Sequence, residues 1–344
     1  MASPWIVLAR PLHLVPLRGV IDPISANFVK VSFRDAMSEG AGAILLDLNT
    51  PGGLKDPSDV IIQEIRASTV PVIARIGDQG QAISTGVNIA LAADAVVMAP
   101  GARIGNAKPL EMGDRLITEA AAELCVLAES KGKNPSWVER IVEGEMFDAP
   151  QALNQGMIDL VAEDNDAIVK ALNGKTILRG NRVVTLSLDN RTYPHVKHWF
   201  GDVLHALAKP NAAYALLLLG FYGLLFHLLG KGAGLLAPVG GLSLMLAITS
   251  LQALPFNGNG ILLILAGIGV LFLATGFMRR GLMTTLGLIL FAAGSFQLFK
   301  SPISYFTVSP LAIVGGVLVS ASLFTLLAEQ RTPKTQRPKG RDKA

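Results

Sequence analysis

Hydrophobic and polar positions divide this chain into two parts that differ in kind. Up to about residue 210, short apolar runs alternate with helically spaced segments and with turns rich in glycine, proline and asparagine. Apolar runs of this length, at 43–48, 70–76 and 95–99, indicate strands buried on both faces. The regular alternation of strand and helix predicts a mostly parallel sheet with crossover helices.

The second part is a long apolar region with almost no charge. Between Asn211 and Ala328 there is no aspartate or glutamate, and the only lysines and arginines are Lys231, Arg279, Arg280 and Lys300. Ionised side chains are costly in a lipid bilayer, so this composition favours a membrane domain. Its apolar runs predict five spans of roughly membrane-crossing length, at about 211–229, 234–254, 260–278, 281–299 and 307–328.

The predicted organisation has four segments. An α/β domain occupies 1–175, and a hairpin with a juxtamembrane amphipathic helix occupies 176–210. A transmembrane domain of about five helices follows at 211–328, before a basic, disordered tail at 329–344. In the juxtamembrane helix, apolar residues such as Val196, Trp199 and Leu207 share one side, which fits a helix lying in the membrane interface. The alternative is a helix packed on the soluble domain.

Charge and cysteine content limit the possible functions. The formal net charge is +4, and six of the basic residues lie in the last fourteen positions, where anionic lipid head groups are the expected neighbours. No aromatic residues are interleaved with them, so nucleic-acid binding is not predicted. Cys125 is the single cysteine, which excludes an intramolecular disulfide and a multi-cysteine metal site. We therefore predict neither a cofactor nor a metal.

Two glycine-rich turns follow predicted buried strands, where active sites of open α/β sheets gather. In the first, Asn49–Gly53, adjacent glycines can point backbone N–H groups into a cleft as an oxyanion hole. The spacing is not that of a phosphate loop, and the alternative is an ordinary turn. In the second, Gly80–Gly86, Ser84 opens a helix whose positive end favours an activated hydroxyl. The alternative is that Ser84 merely caps the helix.

Taken in order, these segments resemble a known class. LDLNTPGG (46–53), the stretch from PVIARI to GNAKP (71–109) and APQALNQGMIDLVA (149–162) resemble the ClpP/crotonase class. PNAAYALLLLGFYGLLF (210–226) and LQALPFNGNGILLILAGI (251–268) are similar to the NfeD family of membrane-bound ClpP-class serine proteases. The resemblance covers nearly the whole chain. The OB-like domain that follows the membrane spans in many members is missing, and no signal peptide is visible.

The resemblance implies a role for each candidate residue. Ser84 matches the nucleophile, and the N–H groups of Gly53 and Thr85 match the oxyanion hole. The general base of the family is a lysine, and at the corresponding position this chain has Cys125. A thiol is shorter than a lysine and mostly protonated at neutral pH, so it cannot replace the amine. Lys108 is the possible alternative base.

Other bases are less suitable. Lys131 and Lys133 lie in a hydrophilic turn beyond the helix, where we expect them to be solvated. No histidine lies between His13 and His195, which excludes a Ser-His-Asp triad in the domain core.

The resemblance implies a membrane-anchored serine endopeptidase homologue with an incomplete dyad, acting on hydrophobic segments of stomatin-like (SPFH) proteins. The expected partners are such a protein, the lipid bilayer and further copies of this chain. One alternative is a catalytically inactive scaffold that binds the same partners. Another is a crotonase-type enzyme that uses the oxyanion hole on acyl-CoA.

The expected location is the inner or plasma membrane, with several spans. Five spans that start from an extracytoplasmic soluble domain place Lys231, Arg279, Arg280 and the basic tail in the cytoplasm, as the positive-inside rule favours. The absence of a visible signal peptide argues for the opposite orientation.

Overall fold

The computed structural model describes residues 10–108, 114–179, 182–196, 206–207, 209–230, 234–252, 254–276, 280–299 and 306–331. The chain forms two compact units, Met1–Asp202 and Val203–Ala344. The predicted combination of an α/β domain and an all-α domain is confirmed.

The first unit alternates strands and helices along the chain. Its strands are β1 (Arg10–Arg18), β2 (Ala43–Asn49), β3 (Val72–Ile76), β4 (Gln81–Ile83), β5 (Ala95–Met98), β6 (Arg103–Gly105), β7 (Met146–Asp148), β8 (Leu160–Val161), β9 (Thr176–Arg179), β10 (Arg182–Thr185) and β11 (Leu188–Pro194). Its helices are α1 (Pro23–Ser38), α2 (Lys55–Ala67), α3 (Thr85–Ala92), α4 (Asp114–Ser130), α5 (Val138–Val142), α6 (Ala149–Asn154) and α7 (Asn165–Leu172).

The main sheet is parallel throughout, as predicted. Its six strands are ordered β11-β1-β2-β3-β5-β8. Side chains alternate between the two faces along β2, since Ile44 and Leu46 join one apolar cluster and Leu45 joins the other. A smaller sheet, β4-β6-β7, is joined to the end of β2 through Thr50, which bridges to Ala82. The candidate site lies at this junction.

The segment after residue 175 is more closely integrated than the sequence predicts. β9 and β10 form the expected antiparallel hairpin, but β11 pairs in parallel with β1 and extends the main sheet. The backbone N–H of His195 continues this contact by donating to the carbonyl of Leu14 at 2.8 Å. The first unit therefore extends past the expected boundary, because an edge strand needs a partner for its unpaired backbone groups.

The second unit contains five apolar helices within the described residues: α8 (Pro210–Leu228), α9 (Leu236–Gln252), α10 (Gly258–Ala274), α11 (Arg280–Gln297) and α12 (Pro310–Arg331). By length and composition, Pro210–Leu228 and Pro310–Glu329 can cross a membrane, and the other three are shorter apolar helices. Small residues allow close packing: a Cβ on Gly267 would lie 2.6 Å from the backbone nitrogen of Phe291.

Several sequence predictions fall outside the described residues. The first nine residues and most of the predicted interfacial helix, including Trp199, are among them. So are the three basic residues Lys231, Arg279 and Lys300 and the tail after Arg331.

Candidate active site

Ser84 stands between β4 and α3 in a backbone conformation that is rare for a residue with a side chain. Its φ is 54° and its ψ is −122°. Such a conformation costs an L-residue roughly 1–3 kcal/mol and persists only where the surroundings enforce it, commonly at active sites. The turn resembles the strained strand-to-helix elbow on which α/β hydrolases expose a nucleophilic serine.

The alternative role for Ser84, that of a helix cap, is wrong. Ser84 is the N-cap residue of α3, but its side chain makes no capping hydrogen bond. Its backbone is held instead, because its N–H donates to the carbonyl of Gly105 and its carbonyl accepts from the N–H of Val87. The hydroxyl is therefore available to react.

The Gly52–Gly53 turn lies directly against Ser84. Gly52 has a φ of +94°, and a Cβ there would lie 2.8 Å from the Cβ of Ser84. Gly53 has no room for any side chain, since a Cβ would lie 2.2 Å from the carbonyl oxygen of Ile21. The Ile21 N–H donates to the carbonyl of Gly52 at 3.0 Å, and the Ile21 carbonyl accepts from Leu54 at 2.9 Å. These bonds fix the turn.

Two backbone N–H groups near Ser84 remain without a backbone acceptor within the described part of the chain. One belongs to Gly53, whose neighbours Gly52 and Leu54 both donate elsewhere. The other belongs to Thr85, the first residue of α3, where a helix has no internal acceptor to offer. A pair of free N–H groups beside a hydroxyl is the arrangement that stabilises a tetrahedral oxyanion.

A cleft of about 260 Å³ opens beside Ser84. It is lined by both apolar and charged side chains from α2, α3, α4 and the loop after β6, namely Lys55, Ser58, Asp59, Ser84, Thr85, Asn88, Ala107, Lys108, Leu116, Glu119, Ala120, Glu123 and Leu124. Ser84, Thr85 and Lys108 line the same cleft, and the side chain of Lys108 is exposed.

An ion pair that the sequence did not reveal joins two of the residues that line this cleft. The Nζ of Lys55 donates to both carboxylate oxygens of Glu123, at 3.0 and 2.9 Å, and lies 3.8 Å from Asp59. Burial acts to lower the Lys55 pKa, but the hydrogen bond and charge of Glu123 outweigh it, so the pKa is raised. Lys55 therefore stays an ammonium. Its partner is 68 positions away, and no local pattern links the two.

Cys125 lies on α4 but is not among the described residues that line the cleft. It is half-buried against the apolar core. Burial, and then the charges of Glu129 and Glu139, raise the pKa of the Cys125 thiol, which is therefore protonated at neutral pH.

The two lysines beyond α4 are not solvated, contrary to expectation. Lys131 Nζ lies 3.3 Å from a carboxylate oxygen of Asp94, and Lys133 Nζ lies 2.6 Å from one of Asp159. Both amines are held in ion pairs, because the turn folds back onto the sheet.

Comparison with known proteins gives a consistent result over both units. Residues 11–172 match the model of the NfeD1b N-terminal domain, and residues 211–329 match that of the NfeD integral membrane domain. The chain is 31% identical to the membrane-bound protease PH1510 of Pyrococcus horikoshii, over 99% of this chain and 82% of that protein. It is 26% identical to the membrane protein NfeD1b of Bacillus subtilis, over 92% of this chain and 73% of that protein.

Solved structures match the α/β unit. A lysine-to-alanine variant of the membrane-bound stomatin-specific protease 1510-N, bound to a substrate peptide, has a TM-score of 0.55 and 25% identity, over 58% of this chain and 99% of that one. A serine-to-alanine variant has a TM-score of 0.53 and 26% identity, over 55% and 99%. The predicted ClpP/crotonase-like fold is thereby confirmed. With family models that cover both the sheet domain and the apolar helices, this chain belongs to the NfeD family of membrane proteins.

Proposed function

We propose that this chain is a membrane-anchored serine endopeptidase homologue in which Ser84 is the nucleophile and Cys125 occupies the position of the general base. The observation that carries the proposal is the strained, uncapped Ser84 beside two free N–H groups. A serine with only a structural role has no need of such a conformation. Membership of a family with membrane-bound protease relatives supports the same reaction.

The chemistry follows from the positions of these groups. Ser84 Oγ attacks the carbonyl carbon of a peptide bond, and the carbonyl oxygen gains the negative charge. The N–H groups of Gly53 and Thr85 donate to that oxygen and lower the barrier. The hydroxyl proton must pass to a base and then to the leaving amine as the peptide bond breaks. This last requirement is the weak point of the site.

The base assignment is supported by spacing. In the 1510-N variants, the exchanged serine and lysine are 41 positions apart, and Ser84 and Cys125 are separated by the same number. The thiol of Cys125 is protonated at neutral pH and cannot accept the proton. Hydrolysis is therefore slow, unless Lys108, which lines the cleft, replaces the missing amine.

The proposed substrate is a hydrophobic segment of a stomatin-like membrane protein. The relative 1510-N is specific for a stomatin homologue. In this chain, the cleft beside Ser84 includes the apolar side chains of Leu116, Ala120 and Leu124, which can receive hydrophobic residues. Assembly into a homo-oligomer and an extracytoplasmic position of the α/β unit belong to the same proposal.

Two measurements on the full chain in detergent test the proposal. A fluorophosphonate probe should label wild type slowly and should not label Ser84→Ala, because the reagent reacts irreversibly and therefore traps even a slowly reacting serine. Both proteins should capture a stomatin-like protein, since affinity comes from pockets and strand pairing rather than from the hydroxyl. Capture without labelling would instead indicate an inactive scaffold, and saturable binding of a CoA ester would indicate a crotonase-type enzyme.

A further inference from the structure

Three potential metal ligands meet at the edge of the main sheet, away from the peptidase site. His13 lies on β1, Glu39 is the C-cap residue of α1, and His195 follows β11 directly. His13 Nδ1 and His195 Nε2 are 2.9 Å apart, and His13 Nδ1 is 3.7 Å from a carboxylate oxygen of Glu39. Their ligand atoms all lie within 4.8 Å of one another. The cluster was not predictable, because its members are distant in sequence.

We propose that His13, Glu39 and His195 bind one divalent transition-metal ion, with Zn²⁺ as the cation that fits best. Imidazole nitrogens and a carboxylate oxygen are common zinc ligands, and two histidines with one carboxylate leave a fourth position for water. The bound ion would tie the end of β11 to β1 and α1.

The spacing of the ligand atoms fits this cation. Two ligands of a tetrahedral zinc, each about 2.0–2.1 Å from the metal, lie about 3.4 Å apart. The separations of 2.9 and 3.7 Å lie on either side of this value, so small side-chain adjustments suffice. In the absence of metal, the two imidazoles can share one proton in a hydrogen bond.

The surroundings hold two of the ligands in place and favour a cation. The backbone N–H of His195 donates to Leu14, and that of Glu39 donates to the carbonyls of Asp35 and Met37. The C-terminal end of α1 carries partial negative charge that attracts a cation. Tyr193 stacks on the His13 ring at 5.4 Å between centroids.

A metal ion can also reach the site. The His13 side chain is nearly inaccessible, but that of Glu39 is 60% exposed, so an ion can enter from solvent.

The test uses the full chain without an affinity tag, purified in detergent, stripped with a chelator and then dialysed free of it. Zn²⁺ is titrated against a chromogenic chelator, and Co²⁺ is added separately to read its visible d–d bands. Wild type should bind one Zn²⁺ per chain and give Co²⁺ bands typical of nitrogen and oxygen ligands. Glu39→Gln and His195→Gln should each weaken Zn²⁺ binding by about tenfold or more.

Glu143→Gln is the matched control, since Glu143 is also an exposed glutamate at a helix C-cap but does not belong to the His13–Glu39–His195 cluster. It should bind as wild type does. Glu39→Gln is the decisive variant, because an exposed carboxylate can be changed without disturbing the fold. Wild-type binding no tighter than that of Glu39→Gln, or an equal loss in Glu143→Gln, would overturn the proposal.

Discussion

Replacing Cys125 with lysine tests whether a missing amine limits the proposed peptidase activity. The substitution supplies a primary amine on a flexible four-carbon stem, at the position that we propose for the general base. Cys125 adjoins Leu124, which lines the cleft, and a lysine side chain reaches further than the thiol. We expect Cys125→Lys to hydrolyse a hydrophobic peptide faster than wild type.

The size of the gain depends on the pKa of the new amine. A positioned general base contributes about 10²–10⁴-fold, but a lysine with the solution pKa of about 10.4 is only about 0.4% neutral at pH 8. Burial is the largest influence on the Cys125 thiol, and burial lowers the pKa of an amine, whereas Glu129 and Glu139 raise it. The closer burial brings the pKa of the amine to the assay pH, the larger is the neutral fraction, and the share of the general-base contribution that is realised rises in proportion.

The effect of a nearby carboxylate on the pKa of the new amine provides a second test. Exposed Glu129 is one turn away from position 125 on α4. In the Cys125→Lys background, Glu129→Gln removes a negative charge that holds the proton on the amine. Activity should rise with pH through the amine pKa in both proteins, and the midpoint should lie at lower pH in the double variant.

The assay compares turnover of a hydrophobic peptide across a pH series, with Val126→Lys as the matched control. Val126 is the next residue on α4 and is 67% exposed, so a lysine there points into solvent. Adding Ser84→Ala should abolish the gain. Equal gains in both lysine variants would refute the reasoning, as would robust wild-type turnover that survives Lys108→Ala.

Three further predictions follow from the geometry. Ser84→Gly should unfold at a higher temperature than Ser84→Ala, because glycine relieves the positive φ at a gain of roughly 1–3 kcal/mol; equal melting temperatures would show that the turn is not strained. Gly53→Ala should destabilise the chain by about 1–3 kcal/mol and reduce probe labelling, because its Cβ would overlap Ile21. Gly77→Ala is the control, because Gly77, like Gly53, has no positive φ, but a Cβ there would make only ordinary contacts. A reporter fused after Ala344 should be cytoplasmic, and protease added to spheroplasts should digest the α/β unit; protection of that unit would reverse the proposed orientation.

Much of the fold could be predicted because its signals are local. The buried strands at 43–48, 70–76 and 95–99 differ from the observed ones by at most two residues at either end. The absence of carboxylates from 211 to 328 likewise marked the apolar helices. β11 was missed as part of the sheet, because its pairing with β1 joins residues about 180 positions apart. The Lys55–Glu123 pair and the His13–Glu39–His195 cluster were missed for the same reason.

In the candidate site, the backbone groups could be predicted from local sequence, whereas the side chains from other elements could not. The proposed oxyanion hole is made by backbone groups whose positions are set by adjacent glycines and a helix start, so a short motif is enough to predict it. The proposed base position lies on another helix, and its role depends on which face of α4 meets Ser84. That face carries Glu123 and Leu124 in this structure, and no spacing rule in the sequence reveals it.

The backbone strain at Ser84 shows how the backbone part of the candidate site relates to the side chains on α4. A conformation that costs roughly 1–3 kcal/mol must be enforced by its surroundings, and here backbone contacts enforce it. Thr50 exchanges hydrogen bonds with Gln81 and Ile83 on β4, and the N–H of Ser84 donates to Gly105. None of these contacts involves Cys125 or Lys108. The proposed nucleophile is therefore positioned independently of the proposed base, and we expect one substitution on α4 to change activity without rebuilding the site.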